Sequence, residues 1–164
     1  MYNQAMMITK VKNIYIMLLH AISNENISMV DHYLDDELTK HFQKIIDNNI
    51  KNNVKQVFRQ LNITNLSVVQ EDEKYVTFNG LTRYITYFVD RKTENYIYGD
   101  NKIRISNNII LKFRKNDVKA KSLYRCPNCG AGLQINTTSI CSYCDSAVDE
   151  RFSPYVLCST NLKV

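Results

Sequence analysis

Two Cys-x-x-Cys pairs, Cys126-Pro-Asn-Cys129 and Cys141-Ser-Tyr-Cys144, separated by 11 residues, constrain this chain more than any other feature it has. Each pair fits one tight turn, and two such turns aim four thiolates at one tetrahedral ion. Gly130 follows the first pair, where a left-handed backbone lets amides point at sulfur, and Asp145 holds that place after the second. A ribbon this small cannot build a core, so metal binding would supply most of its folding free energy. Four thiolates also close the coordination shell. The expected cofactor is therefore structural Zn2+ on Cys126, Cys129, Cys141 and Cys144, with iron the alternative that similar knuckles accept. Residues 131–140 have the length of a small β-hairpin with Asn136-Thr137-Thr138 near its tip. The fifth cysteine, Cys158, has no partner at ligand spacing and lies in the apolar run Tyr155-Val156-Leu157-Cys158, which reads as a last strand carrying a buried, inert thiol.

Whether paired cysteines bind metal or oxidise depends on the compartment. The longest strongly apolar stretch, residues 14–19, is far shorter than the roughly 20 residues a bilayer requires. Lys10 and Lys12 also interrupt any secretory pattern near the start. The expectation is a cytoplasmic chain with reduced thiols and no transmembrane segment, with peripheral contact at the inner face of the membrane left open. With 164 residues, 45% of them hydrophobic, the chain suits one main domain plus a small appendage. Tryptophan is absent, so the core should be aliphatic with tyrosine at its margins. Charge is uneven: residues 112–125 hold six cations and one acid, and that excess of +5 equals the formal net charge of the whole chain. Such a run suits nucleic acid, anionic lipid or an acidic protein, or else it is a solvated strand end and linker.

The hydrophobic period changes once. Met7, Val11, Ile14, Leu18 and Ala21 form the stripe of an amphipathic helix over residues 4–22. Asn24 or Asn26 can cap a second helix containing Ile27, Val30 and Leu34. The acids Asp35-Asp36-Glu37 suit the first turn of a third. That third helix is predicted to be the longest, its stripe of Leu38, Phe42, Ile45, Ile46, Val54, Val57 and Phe58 running to about Leu61. From Leu66 the pattern is that of strands: 66–70, 74–89 and 96–113, with a polar connection at 70–73 and a hairpin turn at 90–95. Asn79-Gly80 reads as a bulge on a curved strand, and Gly99-Asp100 as either a bulge or a turn. Helices first and an antiparallel sheet afterwards make an α+β domain.

No catalytic apparatus is recognisable, and the chain is expected not to be an enzyme. His20, His32 and His41 lie on predicted helices without a metal-binding pattern. Asp35, Asp36 and Glu37 are consecutive, which sends their side chains around a helix and favours capping over acid–base chemistry. The chain has four glycines and no phosphate loop. Tyr75, Tyr84, Tyr87, Tyr96 and Tyr98 fall on strands, where tyrosine is a good half-buried residue and where a basic sheet could also stack bases.

Three segments together resemble the bacterial relatives of the Tim-forty-four-like domain, the family named for a scaffold of the mitochondrial import motor. Residues 88–100, Phe-Val-Asp-Arg-Lys-Thr-Glu-Asn-Tyr-Ile-Tyr-Gly-Asp, resemble its hairpin; Ile110-Leu111-Lys112-Phe113-Arg114 resembles its following strand, and the two cysteine pairs its ribbon. Leu111 and Tyr155 stand where that family usually has tryptophan. The resemblance implies a cystatin-like cone, helices on a curved antiparallel sheet, with the zinc ribbon inserted before a final strand, Tyr155-Val156-Leu157. It divides the chain into an N-terminal amphipathic helix (1–24), an α+β domain (25–122 and 151–164) and the ribbon (123–150). It further implies a protein-binding adaptor or chaperone that brings a client to a membrane translocation or secretion machine. The groove between sheet and helices, or an exposed sheet face, would be the client site. The alternative is a zinc-ribbon nucleic-acid-binding protein that uses the basic segment, and a pocketed cone fold serving a small molecule is the third reading.

Overall fold

The computed structural model describes residues 4–115, 123–125, 132–134 and 155–164. Its first helix, α1 (Gln4–Ser23), buries the predicted stripe together with Tyr15, Leu19 and Ile22. Glu25 ends it in a left-handed conformation (φ 56°), and the Asn26 N–H reaches back to the Ala21 carbonyl at 2.9 Å, a Schellman-type close. By length and composition α1 could cross a membrane, which the expectation drawn from residues 14–19 alone did not register. Here its apolar side faces the sheet.

The expected second helix is instead two 3-10 turns, Ile27–Met29 and Asp31–Tyr33. Asn26 makes no cap, its side-chain oxygen being taken by the Ser28 hydroxyl, and Val30 between the turns leaves helical geometry at φ −137°, ψ −2°. Asp35 does cap α2 (Asp36–Lys51), its carboxylate accepting the Leu38 N–H at 2.8 Å.

The third helix is shorter than expected. Asn52 satisfies the last carbonyls and Asn53 turns left-handed (φ 57°), so Val54, Val57 and Phe58 belong to a strand, β1 (Val54–Glu71). The eight-residue step from Ile46 to Val54 fits both the helical and the strand period, so the stripe continued on paper across a chain reversal.

β1 pairs antiparallel with β2 (Tyr75–Asp90) along almost its whole length. On its other side β2 pairs with β3 (Tyr96–Gly99) and β4 (Ile105–Lys115), and β4 pairs with β7 (Tyr155–Thr160). The result is a curved five-stranded antiparallel sheet in the order β1-β2-β4-β7, with β3 alongside β2. A separate antiparallel pair joins β5 (Leu123–Arg125) to β6 (Gly132–Gln134).

The bulge expected at Gly80 falls on the opposite strand. β2 runs unbroken against β4, whereas the β1 register slips at 59–62, 64–67 and 68–70, with Gln60 and Asn65 left-handed. Gly80 instead makes room, since a Cβ there would stand 2.8 Å from Leu66 Cδ2. Gly99 is a true break: at φ +100° it ends β3, and a Cβ would meet the Tyr87 Cα at 2.9 Å.

One core joins α1 and Phe42 of α2 to the sheet through Ile63, Val76, Phe78, Leu111, Phe113 and Leu157. Phe78 and Phe113 meet edge to face at 5.8 Å. Tyrosine is not confined to the margin as expected. Tyr15 is 0% exposed, which its ring can tolerate because its hydroxyl bonds that of buried Thr82.

Candidate binding surfaces

Residues 96–105 follow β2 through a hairpin whose turn is locked from within. The Asp90 carboxylate accepts the N–H groups of Lys92 and Thr93, each at 2.9 Å, and these bonds hold its pKa below the usual carboxylate value. Asp100 repeats the device on Lys102 and Ile103, and Asp72 on Lys74 and Tyr75. Two arginines pin the hairpin from outside. Arg91 pairs with Glu25 at 2.8 Å, and Arg104 reaches across β2 to the Gln60 carbonyl, also at 2.8 Å.

What this frame displays is apolar. Tyr96 is 53% exposed and Ile103 63%, with Ile97, Tyr98 and Ile105 exposed between and beside them. Phe88 stacks on Tyr98 at 4.5 Å and Tyr87 lies 6.3 Å from Tyr96, so the aromatic side chains are supported from beneath. β3 is paired on its β2 side alone among the described residues. Asp100, Asn101, Lys102 and Arg104 are exposed among the apolar residues, so apolar and polar side chains share this held surface. The sequence marks this segment as a hairpin but does not show that every residue of β3 is exposed.

The space between helices and sheet, the first client site expected, is filled: Tyr15, Leu18, Leu19, Ile22 and Phe42 are all fully buried there. The basic segment is split. Lys112 and Arg114 stand on β4, Lys112 4.3 Å above the Tyr75 ring, whereas Lys115 is taken by Glu71 at 2.9 Å. Residues 116–122 lie outside the described residues.

The four expected ligands, Cys126, Cys129, Cys141 and Cys144, also lie outside the described residues. Among the described residues no three His, Cys, Asp or Glu side chains gather as a metal site. What bears on the ligands is the pairing of Arg125 with Gly132, which brings together the chain just before Cys126 and just after Gly130. A zinc knuckle needs that closure. Gly132–Gln134 pairs with β5, and the rest of the hairpin expected within 131–140 lies outside the described residues.

Cys158 is half-buried and sits at the register shift of β7, its Sγ donating to the Lys112 carbonyl at 3.3 Å. Burial first, and Asp35 second, push its pKa up, which keeps it a thiol. His20 and His41 are exposed on α1 and α2, and His32 lies beside Asp31 and against the Tyr33 ring. Compared with models of known protein families and with curated proteins, the chain matches none.

Proposed function

We propose that this chain is a non-enzymatic protein-binding adaptor that offers the β3 hairpin and the loop after it to a client protein, with a zinc ribbon as its second module. The observation that carries this reading is the set of exposed apolar side chains Tyr96, Ile97, Tyr98, Ile103 and Ile105, fixed by two aspartate turns and two arginine anchors. Ordered apolar surface loses little conformational entropy on binding, which favours affinity. The order of helices, curved sheet and returning last strand agrees with the cystatin-like cone of the Tim-forty-four-like family. That resemblance in turn names a translocation or secretion machine as the destination, reached from the cytoplasm with peripheral contact at the membrane.

The test is a tagged full-length chain purified from its native cells at moderate salt after nuclease treatment, beside an Ile97→Asp/Ile103→Asp variant. Both side chains are exposed, so the variant should melt like the parent. Proteins identified by mass spectrometry with the parent and lost with the variant support the adaptor. An identical set from both would overturn it.

A further inference from the structure

In an antiparallel ladder, directly paired residues point to the same face. Ile63, Val76, Phe78, Thr82 and Tyr84 face the helices, so their neighbours in sequence face away. The pairings put Arg59 opposite Ile85, Lys55 opposite Val89, Lys112 opposite Thr77 and Arg114 opposite Tyr75, with Arg83 between. All five cations therefore share the outer face. The chain has 16 acidic residues, yet none of those described on β1, β2 or β4 falls at an outward position of this ladder. Among the described residues none of the five cations forms a close ion pair, those there using His32, Arg91 and Lys115, although Asp72 at the adjoining turn lies near enough to Lys112 to feel its charge.

A solvated sheet face is ordinarily polar with mixed signs. This one has a single sign, and tyrosines at both ends. Tyr75 lies under Lys112 at one end, and Tyr87 and Tyr96 lie in ring contact at the other. Asn62, Thr64, Asn79 and Asn108 lie between them with Leu81 and the exposed Ile110, while Ile85 and Val89, opposite Arg59 and Lys55, are buried. From the level of Val89 to that of Tyr75 the track is about 45 Å long at ~3.3 Å per residue.

We propose that this outer sheet face binds single-stranded nucleic acid, its phosphates on the five cations and bases on the tyrosines. Rigid phosphate pairs across a duplex groove would not follow a curved strand face, whereas a flexible single strand can lie along it. The site shares Tyr96 with the adaptor surface but none of its five cations, so variants of the cations test it without altering Ile97 or Ile103.

The experiment titrates the full-length chain into a labelled uridine-rich single strand of about 15 nucleotides over a salt series. At about −0.7 per contact, five contacts give a log–log salt slope of about −3.5. An Arg59→Gln/Arg83→Gln variant should bind about tenfold more weakly at low salt, with a slope of about −2.1. Lys112→Gln/Arg114→Gln should do the same, which covers the case in which the first pair fails to fold. A duplex of equal length and phosphatidylserine vesicles should both bind more weakly than the strand. The proposal is overturned by absence of binding at low salt, by a slope unchanged in folded variants, or by vesicles or duplex competing equally.

Discussion

Tyr15 shows how one polar atom fixes a residue's place. Its ring is fully buried on α1, and its hydroxyl, bonded to Thr82, ties the helix to β2. Desolvation raises its pKa above the ordinary value of 10. A proton held more tightly in the folded state adds stability that is complete below pH 10 and is lost as pH rises above it. Raising the pH from about 9 to about 11 should therefore lower the urea midpoint, and Tyr15→Phe should lose about 1 kcal/mol less over that interval. The same variant should cost about 1 kcal/mol near neutral pH, because the Thr82 hydroxyl loses its partner. Parallel pH profiles for the two proteins would contradict this. The stripe made α1 readable but left Tyr15 out, because a tyrosine beside an apolar stripe gives no sign of a hydroxyl waiting on a distant strand. The aspartate turns were more legible. Asp72-Glu73-Lys74, Asp90-Arg91-Lys92 and Asp100-Asn101-Lys102 share one pattern and one geometry, and that repetition could have told a turn from a bulge at Gly99-Asp100.

At the scale of elements, the boundary between α2 and β1 separates what local pattern decides from what it does not. The start of α2 was readable because Asp35 acts on its own neighbours, accepting the Leu38 N–H. Its end depended on Asn53 taking a left-handed turn and on pairings such as Val54 with Asp90, which no local period encodes. Asp35 has a second role: its own N–H donates to the Leu157 carbonyl at 2.9 Å and ties the helix entry to β7. That backbone bond survives substitution, so Asp35→Ala should cost only the cap, about 1 kcal/mol, and Asp35→Ser should recover most of it. Urea unfolding of the three proteins measures this. A loss well above 2 kcal/mol would mean the carboxylate does more than cap the helix.

The molecule as a whole places its two expected modules differently. The α+β body was legible in outline because the change of period near Leu66 and the turn at 90–95 are local. Its pairing order was not, since β2 takes β1 on one edge and both β3 and β4 on the other. The proposed ribbon is argued from cysteine spacing, with the pairing of β5 and β6 beside it. Cys126→Ser and Cys141→Ser should each lose zinc by elemental analysis and speed hydrogen exchange in β7, whereas Cys158→Ser should keep the metal. Full zinc in the Cys126 variant would remove that residue from the ligand set. The irregular register of β1 bears on the protein at high concentration. An 18-residue strand at the border of a sheet offers a template on which a second copy could zip. Three slips and the left-handed Gln60 and Asn65 cut that border into short, misaligned pieces, so that a foreign strand docking there would lose register within a few residues and fall away before a fibre could start.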